Sequence, residues 1–283
     1  MFINRFYLHL LDMKPSKRFV KLIEIFFPYR FQIARLSKIS IVKWIYNKMI
    51  FEKSNLTYLT KDKVVEITLN KTIQPPESIV VPSKVVEYFI EESSFRFIMN
   101  FCLCREAMDC KNHPKELGCL FMGEAAKKIP LSLGKPASKK QALDHIKKCS
   151  ENGLVHLIGR DRLDEIWLGL GSKIPLITVC NCCSCCCLWK MLPDLDDSLS
   201  SAVKKMPGIK IKVKNNCNGC GYCTKDVCFI DAIKIKNGVA EISNKCLACG
   251  RCVESCPNNA IELIIEDKKF VSKTIDRIKK ATS

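Results

Sequence analysis

The sequence has no long apolar run. Its most apolar N-terminal stretch, Leu22 to Ile33, is interrupted by Glu24, Pro28 and Arg30, whereas a membrane-spanning helix needs about 20 mostly apolar residues. No signal-peptide pattern is visible in the first ten residues, which lack an ordered basic region, apolar region and cleavage site. The expected location is cytoplasmic, with peripheral attachment at the inner membrane face as the variant. No C-x₃-C-x₂-C run occurs, which argues against radical chemistry on S-adenosylmethionine. Gly169-Leu-Gly171-Ser-Lys173 lacks the spacing of a phosphate loop. No triad, paired carboxylates or nucleotide fold points to an independent enzyme. Acidic residues are scarce: 29 Asp and Glu stand against 46 Lys and Arg, a formal charge of +17. That balance favours acidic redox proteins or anionic lipid as partners. Nucleic acid is not expected, because no recognised binding motif is present.

What is abundant is cysteine, 19 in 283 residues. The number is odd, several are adjacent, and many follow C-x₂-C spacing. In a chain without an export signal this favours metal or cluster ligation over disulfides. A reducing cytoplasm, that of an anaerobe, follows from the oxygen lability of exposed iron–sulfur clusters. Apolar residues make up 47% of the chain, enough for true cores.

Residues 1–100 are read as a basic, mostly helical region. Between Met1 and Ile50 there are ten Lys or Arg and two Asp or Glu. Phe19, Ile23, Phe26 and Phe27 recur at helical spacing, as do Ile41, Ile45 and Met49. The face they form either packs on the rest of the protein, docks an acidic partner or lies on a membrane. Val64–Leu69 alternates as a strand would, Gln74–Glu77 reads as a loop, and Ser83 reads as the N-cap of a helix towards Met99. Residues 101–190 form a cysteine-rich α/β middle domain. In it Ser138 caps a helix from Lys139 to about Cys149, Gly153 ends it, and Leu154–Ile158 and Ile174–Val179 are short buried strands. Residues 191–208 read as a linker with one short helix. Residues 267–283 form a basic helix with Val271, Ile275 and Ile278 on one face, packed over the preceding module.

Residues 209–266 repeat internally. Cys217-Asn-Gly-Cys220-Gly-Tyr-Cys223 matches Cys246-Leu-Ala-Cys249-Gly-Arg-Cys252, and Asp231-Ala-Ile233 matches Asn259-Ala-Ile261. Asn237-Gly238 between Ile233–Lys236 and Val239–Ile242 is a strong hairpin signal. Gly221 and Gly250 follow the second cysteine of each run, where positive φ costs a glycine little.

This repeat resembles the bacterial-type two-[4Fe–4S] ferredoxins, whose pattern is C-x₂-C-x₂-C-x₃-C-P, with the fourth cysteine of each run ligating the other cluster. The resemblance implies an α+β fold with a pseudo-two-fold dicluster module. It implies one [4Fe–4S] cluster on Cys217, Cys220, Cys223 and Cys256, and a second on Cys246, Cys249, Cys252 and Cys228. The first run departs twice from the pattern, with four residues between Cys223 and Cys228 and Phe229 in place of proline. The upstream C-x-C-R and N-C-C-x-C-C-C segments are similar to those of longer ferredoxin-like proteins of anaerobes.

In the middle domain, Cys102, Cys104, Cys110, Cys119, Cys182, Cys183, Cys185 and Cys186 are candidate ligands of a third iron–sulfur or zinc centre. Adjacent cysteines on an extended chain face opposite ways, so the run 180–187 cannot serve one centre without a tight turn. Cys149 is read as core, His113 as a surface or core histidine, and Arg105 as a residue able to offset thiolate charge. The function these features favour is an electron carrier or electron-transfer subunit moving single electrons to redox protein partners. The alternatives are a cluster-dependent oxidoreductase reducing a substrate or partner disulfide at the middle centre, and a redox sensor.

Overall fold

A computed structural model describes residues 17–70, 81–171 and 174–282. The loop expected at Gln74–Glu77 lies outside the described residues. The architecture mixes helices and sheet.

Three short helices open the described chain: α1 (Lys17–Phe26), α2 (Arg30–Leu36) and α3 (Ser40–Tyr46). Strand β1 (Asn55–Tyr58) leads into α4 (Asp62–Asn70). The strand expected at Val64–Leu69 is therefore a helix. Val64 and Val65 are adjacent and both fully buried, which a helix docked on another segment permits and a half-buried strand does not. Helix α5 (Ser83–Glu92) begins at Ser83 with Pro82 in the capping position. It stops before β2 (Arg96–Met99), short of the expected end, because 96–99 pairs into the central sheet.

Next come α6 (Leu103–Ala107), β3 (Leu120–Met122), β4 (Gly134–Pro136), α7 (Lys139–Glu151), β5 (Val155–Arg160), α8 (Arg162–Trp167), β6 (Ile177–Cys182), α9 (Asp197–Ser200) and β7 (Val203–Lys205). Helix α7 starts with a reciprocal capping box. Ser138 Oγ accepts the Gln141 N–H at 3.2 Å, and Gln141 Oε1 accepts the Ser138 N–H at 2.9 Å. The seven-stranded sheet has the order β4-β2-β3-β6-β5-β1-β7. It is antiparallel except for the β1–β7 pair. It draws β1 and β2 from the N-terminal region and β7 from the expected linker, so it runs across the boundaries expected near residues 100 and 190.

Alternation assigns the two faces of the sheet. Ile98, Leu120, Met122, Ile158 and Val179 join Val85, Phe89, Ala142 and Ile146 of α5 and α7 in one core. Leu56, Tyr58, Val155, Leu157 and Cys182 face the other way, towards Trp189 and Leu192. Helix α2 packs on the 3₁₀ turn at Leu188–Asp194.

The C-terminal module consists of β8 (Ile209–Val213), β9 (Ile233–Lys236), β10 (Val239–Ile242), α10 (Arg251–Ser255), β11 (Ile261–Ile265) and α11 (Phe270–Thr282). Strands β8 and β11 pair antiparallel, and β9–β10 form the expected hairpin, with Asn237 at φ 49° and Gly238 at φ 76°. Helix α11 buries Val271 and Ile278 as expected, while Ile275 is half-buried. It lies across β1, β5 and α5 and shares a core with Ile211 and Leu263, so it bridges the large sheet and the module.

Candidate metal centres

The internal repeat is visible in the backbone. Gly219 and Ala248, Gly221 and Gly250, and Asp231 and Asn259 occupy equivalent places, and all six have positive φ. The extra residue of the first run is taken up in a turn where Asp226 has φ 56°. The same geometry delivers amide N–H groups to sulfur. Ala232 N–H donates to Cys228 Sγ at 3.3 Å and Ala260 N–H to Cys256 Sγ at 3.2 Å. Ala240 and Ala248 donate likewise to Cys217 and Cys246, each at 3.4 Å. Such N–H dipoles stabilise thiolate charge.

Two small pockets follow from this arrangement. Cys217, Cys220, Cys223 and Cys256 line one, together with Ile235, Ala240 and Ile261. Cys228, Cys246, Cys249 and Cys252 line the other, with Ile211, Phe229 and Ile233. Each pocket takes its fourth cysteine from the other half of the repeat. Burial pushes the Cys246 thiol up to about 11 and raises Cys252 as well. A bound metal would displace the protons that these buried thiols hold against water.

In the middle region one tight turn decides which cysteines meet. Strand β6 ends at Cys182, and the chain reverses over 184–186 with Cys186 N–H donating to Cys183 Sγ at 3.3 Å. Cys183, Cys185 and Cys186 then meet Cys110, and the four sulfurs lie within 4.8 Å of one another. The Cys110–Cys185 and Cys185–Cys186 separations are 3.5 and 3.6 Å. Around a single tetrahedral ion with metal–sulfur bonds of about 2.3 Å, the sulfurs stand about 3.8 Å apart. The tetrad therefore fits one ion more closely than a four-iron cubane.

The other candidates, Cys102, Cys104, Cys119 and Cys182, lie elsewhere. They line a cavity of about 260 Å³ together with Cys180 and Cys187, which cysteine spacing alone does not single out, and with Cys183 of the adjoining tetrad. The pairing of Leu120 with Val179 places Cys119 opposite Cys180, and Cys180 and Cys182 share a sheet face two residues apart. That i, i+2 spacing next to an expected strand is the signal available in the sequence. Asn181 turns to the opposite face, where it bonds His156 Nδ1 and the Gly118 carbonyl. Phe19, Ile23 and Phe27 close one side of the cavity. The apolar stripe of α1 thus covers cysteines, while Phe26 on its other side is 55% exposed.

Arg105 is fully buried and donates to the carbonyls of Pro114, Asn181 and Leu117. Cys149 is fully buried in α7, where burial raises its thiol to about 12, and its nearest polar neighbour is His145 Nε2 at 3.7 Å. His113 is half-buried and bonds the Asn152 carbonyl at 3.1 Å, apart from the tetrad.

Residues 240–262 match the 4Fe-4S binding domain family. The chain is 45% identical over 56 residues to a subunit of the ion-translocating oxidoreductase complex of Methanosarcina acetivorans, covering 19% of this chain and 21% of that protein. It is 41% identical over 59 residues to a subunit of the Na(+)-translocating ferredoxin:NAD(+) oxidoreductase complex of Acetobacterium woodii, covering 20% of this chain and 17% of that one. The chain thus spans about a fifth of the length of these relatives. No solved structure matches. The matched segment contains Cys246, Cys249, Cys252 and Cys256 and is of the type that binds a 4Fe-4S cluster. Among the described residues, no helix is long and apolar enough to cross a membrane.

Proposed function

We propose that this chain is an electron-transfer subunit that moves single electrons through two [4Fe–4S] clusters. One is held by Cys217, Cys220, Cys223 and Cys256, the other by Cys228, Cys246, Cys249 and Cys252. The observation that supports this is the pair of four-cysteine pockets, each completed by the opposite half of the repeat. When bound, such a cluster supplies a one-electron couple whose potential is set by N–H donors and burial. The chain's own part is to aim the sulfurs, donate amide N–H groups and exclude water. Cys110, Cys183, Cys185 and Cys186 hold a single structural ion, zinc or iron, that pins the 183–187 turn.

The partner is a redox protein, as the relatives' membership of oxidoreductase complexes suggests, and the formal charge of +17 favours an acidic one. It meets the outer face of α1–α3, where Leu22, Ile25, Leu36, Ile41 and Trp44 are exposed beside Lys21 and Lys38. The test of the cluster assignment is EPR of dithionite-reduced, anaerobically purified protein. Two interacting reduced clusters are expected. Cys220→Ser should abolish the interaction and leave the cluster on Cys246 visible alone. An unchanged spectrum in that variant sinks the assignment.

A further inference from the structure

Seven cysteines line the 260 Å³ cavity; Cys183 belongs to the tetrad, and the other six are explained neither by it nor by the dicluster module. Cys119 faces Cys180 across two strands, Cys182 follows on the same face, Cys187 closes the turn, and Cys102 and Cys104 flank the start of α6. Cys102, Cys182 and Cys187 are at most 6% exposed. Among the described residues no three of these sulfurs gather within 4.8 Å. A single ion therefore cannot be shared among them. The enclosed space of about 260 Å³ far exceeds the ~15 Å³ that admits one water, so it has room for a cluster with bridging atoms of its own.

A second observation is independent of the sulfurs. Three buried arginines lie at or near the site: Arg105, at 0% exposure, lines it, Arg251, at 8%, bonds the Cys182 carbonyl, and Arg30, at 4%, lies near Cys104 and Cys187. Among the described residues none of the three has an ion pair with a carboxylate. Within the same set, Arg30 Nε lacks a hydrogen-bond partner, and the buried hydroxyl of Tyr58 lies against Arg251 and Cys182. Buried cations are costly unless an anion compensates them. Thiolates supply that anion, and metal binding fixes the thiols in the ionised state. Soft thiolates around a wide apolar cavity, with bridging atoms supplied by the ligand, select iron–sulfur chemistry over a hard cation.

We propose that Cys102, Cys104, Cys119, Cys180, Cys182 and Cys187 hold a polynuclear iron–sulfur cluster in this cavity, separate from the dicluster module and from the Cys110 tetrad. Phe19, Ile23, Phe27, Trp167 and Trp189 shield it from water. Arg251 connects it to the second ferredoxin loop.

The test is acid-labile sulfide and iron per chain on anaerobically reconstituted full-length protein. Two cubanes contribute about eight sulfides, and a single ion in the tetrad contributes none. Sulfide clearly above eight is expected, falling to about eight in Cys119→Ser/Cys180→Ser with the two-cluster EPR signal retained. The Cys102→Ser/Cys104→Ser variant gives the same loss without altering the sheet. As a control that separates this reading from the dicluster one, Cys217→Ser/Cys246→Ser should lose ferredoxin signals while keeping the excess sulfide. Wild-type sulfide of eight or fewer, with all six cavity thiols alkylated after mild unfolding, overturns the proposal. So does excess sulfide that survives both cavity double variants.

Discussion

The guanidinium of Arg251 donates to the carbonyl oxygen of Cys182, 69 residues away in sequence, at 2.5 Å. Arg251 lies between Cys249 and Cys252, is buried, and sits 5.3 Å from the Phe229 ring centroid. The second ferredoxin loop and the end of β6 are thereby locked together, and Thr60 and Lys61, just after β1, hold the same loop by bonding the Ala248 and Cys249 carbonyls.

Replacing Arg251 by Gln removes a charge-assisted bond worth about 2 to 3 kcal/mol. It also removes a positive charge beside the cluster assigned to Cys249. Reduction adds an electron, so losing that cation makes reduction harder. The expected result is a lower midpoint potential for one of the two clusters in an EPR-monitored titration, together with a lower unfolding midpoint. Arg251→Lys keeps the charge but loses the planar fork. It should recover the potential more than the stability.

Gly219 and Gly221 separate two kinds of glycine requirement. Both have positive φ, 66° and 75°. A Cβ on Gly221 meets nothing closer than 3.9 Å, so Gly221→Ala costs about 1 kcal/mol, from backbone conformation alone. A Cβ on Gly219 falls 2.2 Å from the Gly238 carbonyl oxygen at the tip of the β9–β10 hairpin, where backbone must move. Gly219→Ala should cost several times more and loosen the Cys217 loop selectively. Iron release under mild chelation checks this: the 219 variant should lose one cluster's iron quickly, and the 221 variant should behave nearly as wild type.

These contrasts show where sequence reading succeeds. The dicluster repeat is legible because its information is local: cysteine spacing, Asn237-Gly238 and paired Ala-Ile segments all act within about ten residues. The capping box at Ser138 is legible for the same reason. The middle region is not. Whether Cys180, Cys182 and Cys187 or Cys183, Cys185 and Cys186 face together depends on the pairing of β6 with β3 and β5 and on the turn at 184–186. That pairing is set by residues 17 to 59 positions away. Val64–Leu69 misleads because its alternation is satisfied by docking: Gly250 leaves just enough room for Val64, whose side chain a Cβ there would meet at 3.0 Å.

The tetrad and the cavity should respond differently to substitution. Cys185 is the half-buried member of the tetrad. Cys185→Ser should remove one metal ion per chain without changing inorganic sulfide, because a single ion carries none. Loss of the ion frees the 184–186 turn, so a fall of about 2 to 4 kcal/mol in stability is expected. Metal analysis with thermal unfolding reads both. A drop in sulfide instead would place a cluster on the tetrad.

His156 predicts a pH dependence that does not involve the cysteines. It is buried on β5, and both ring nitrogens are occupied: Nδ1 faces Asn181 Oδ1 and Nε2 faces Ser150 Oγ, each at 2.8 Å. Burial holds its pKa down to about 4, against 6.5 in the unfolded chain. Between these values the unfolded state binds the extra proton, so stability is fully present above about pH 6.5 and is lost as pH falls towards 4. At about pH 5 the loss amounts to roughly 2 kcal/mol. His156→Gln retains hydrogen bonding without a titrating ring. Unfolding midpoints of anaerobic wild type and variant, measured at about pH 7 and pH 5, should therefore differ in slope, with the variant flatter. Equal slopes would place the acid sensitivity in the clusters rather than in the histidine.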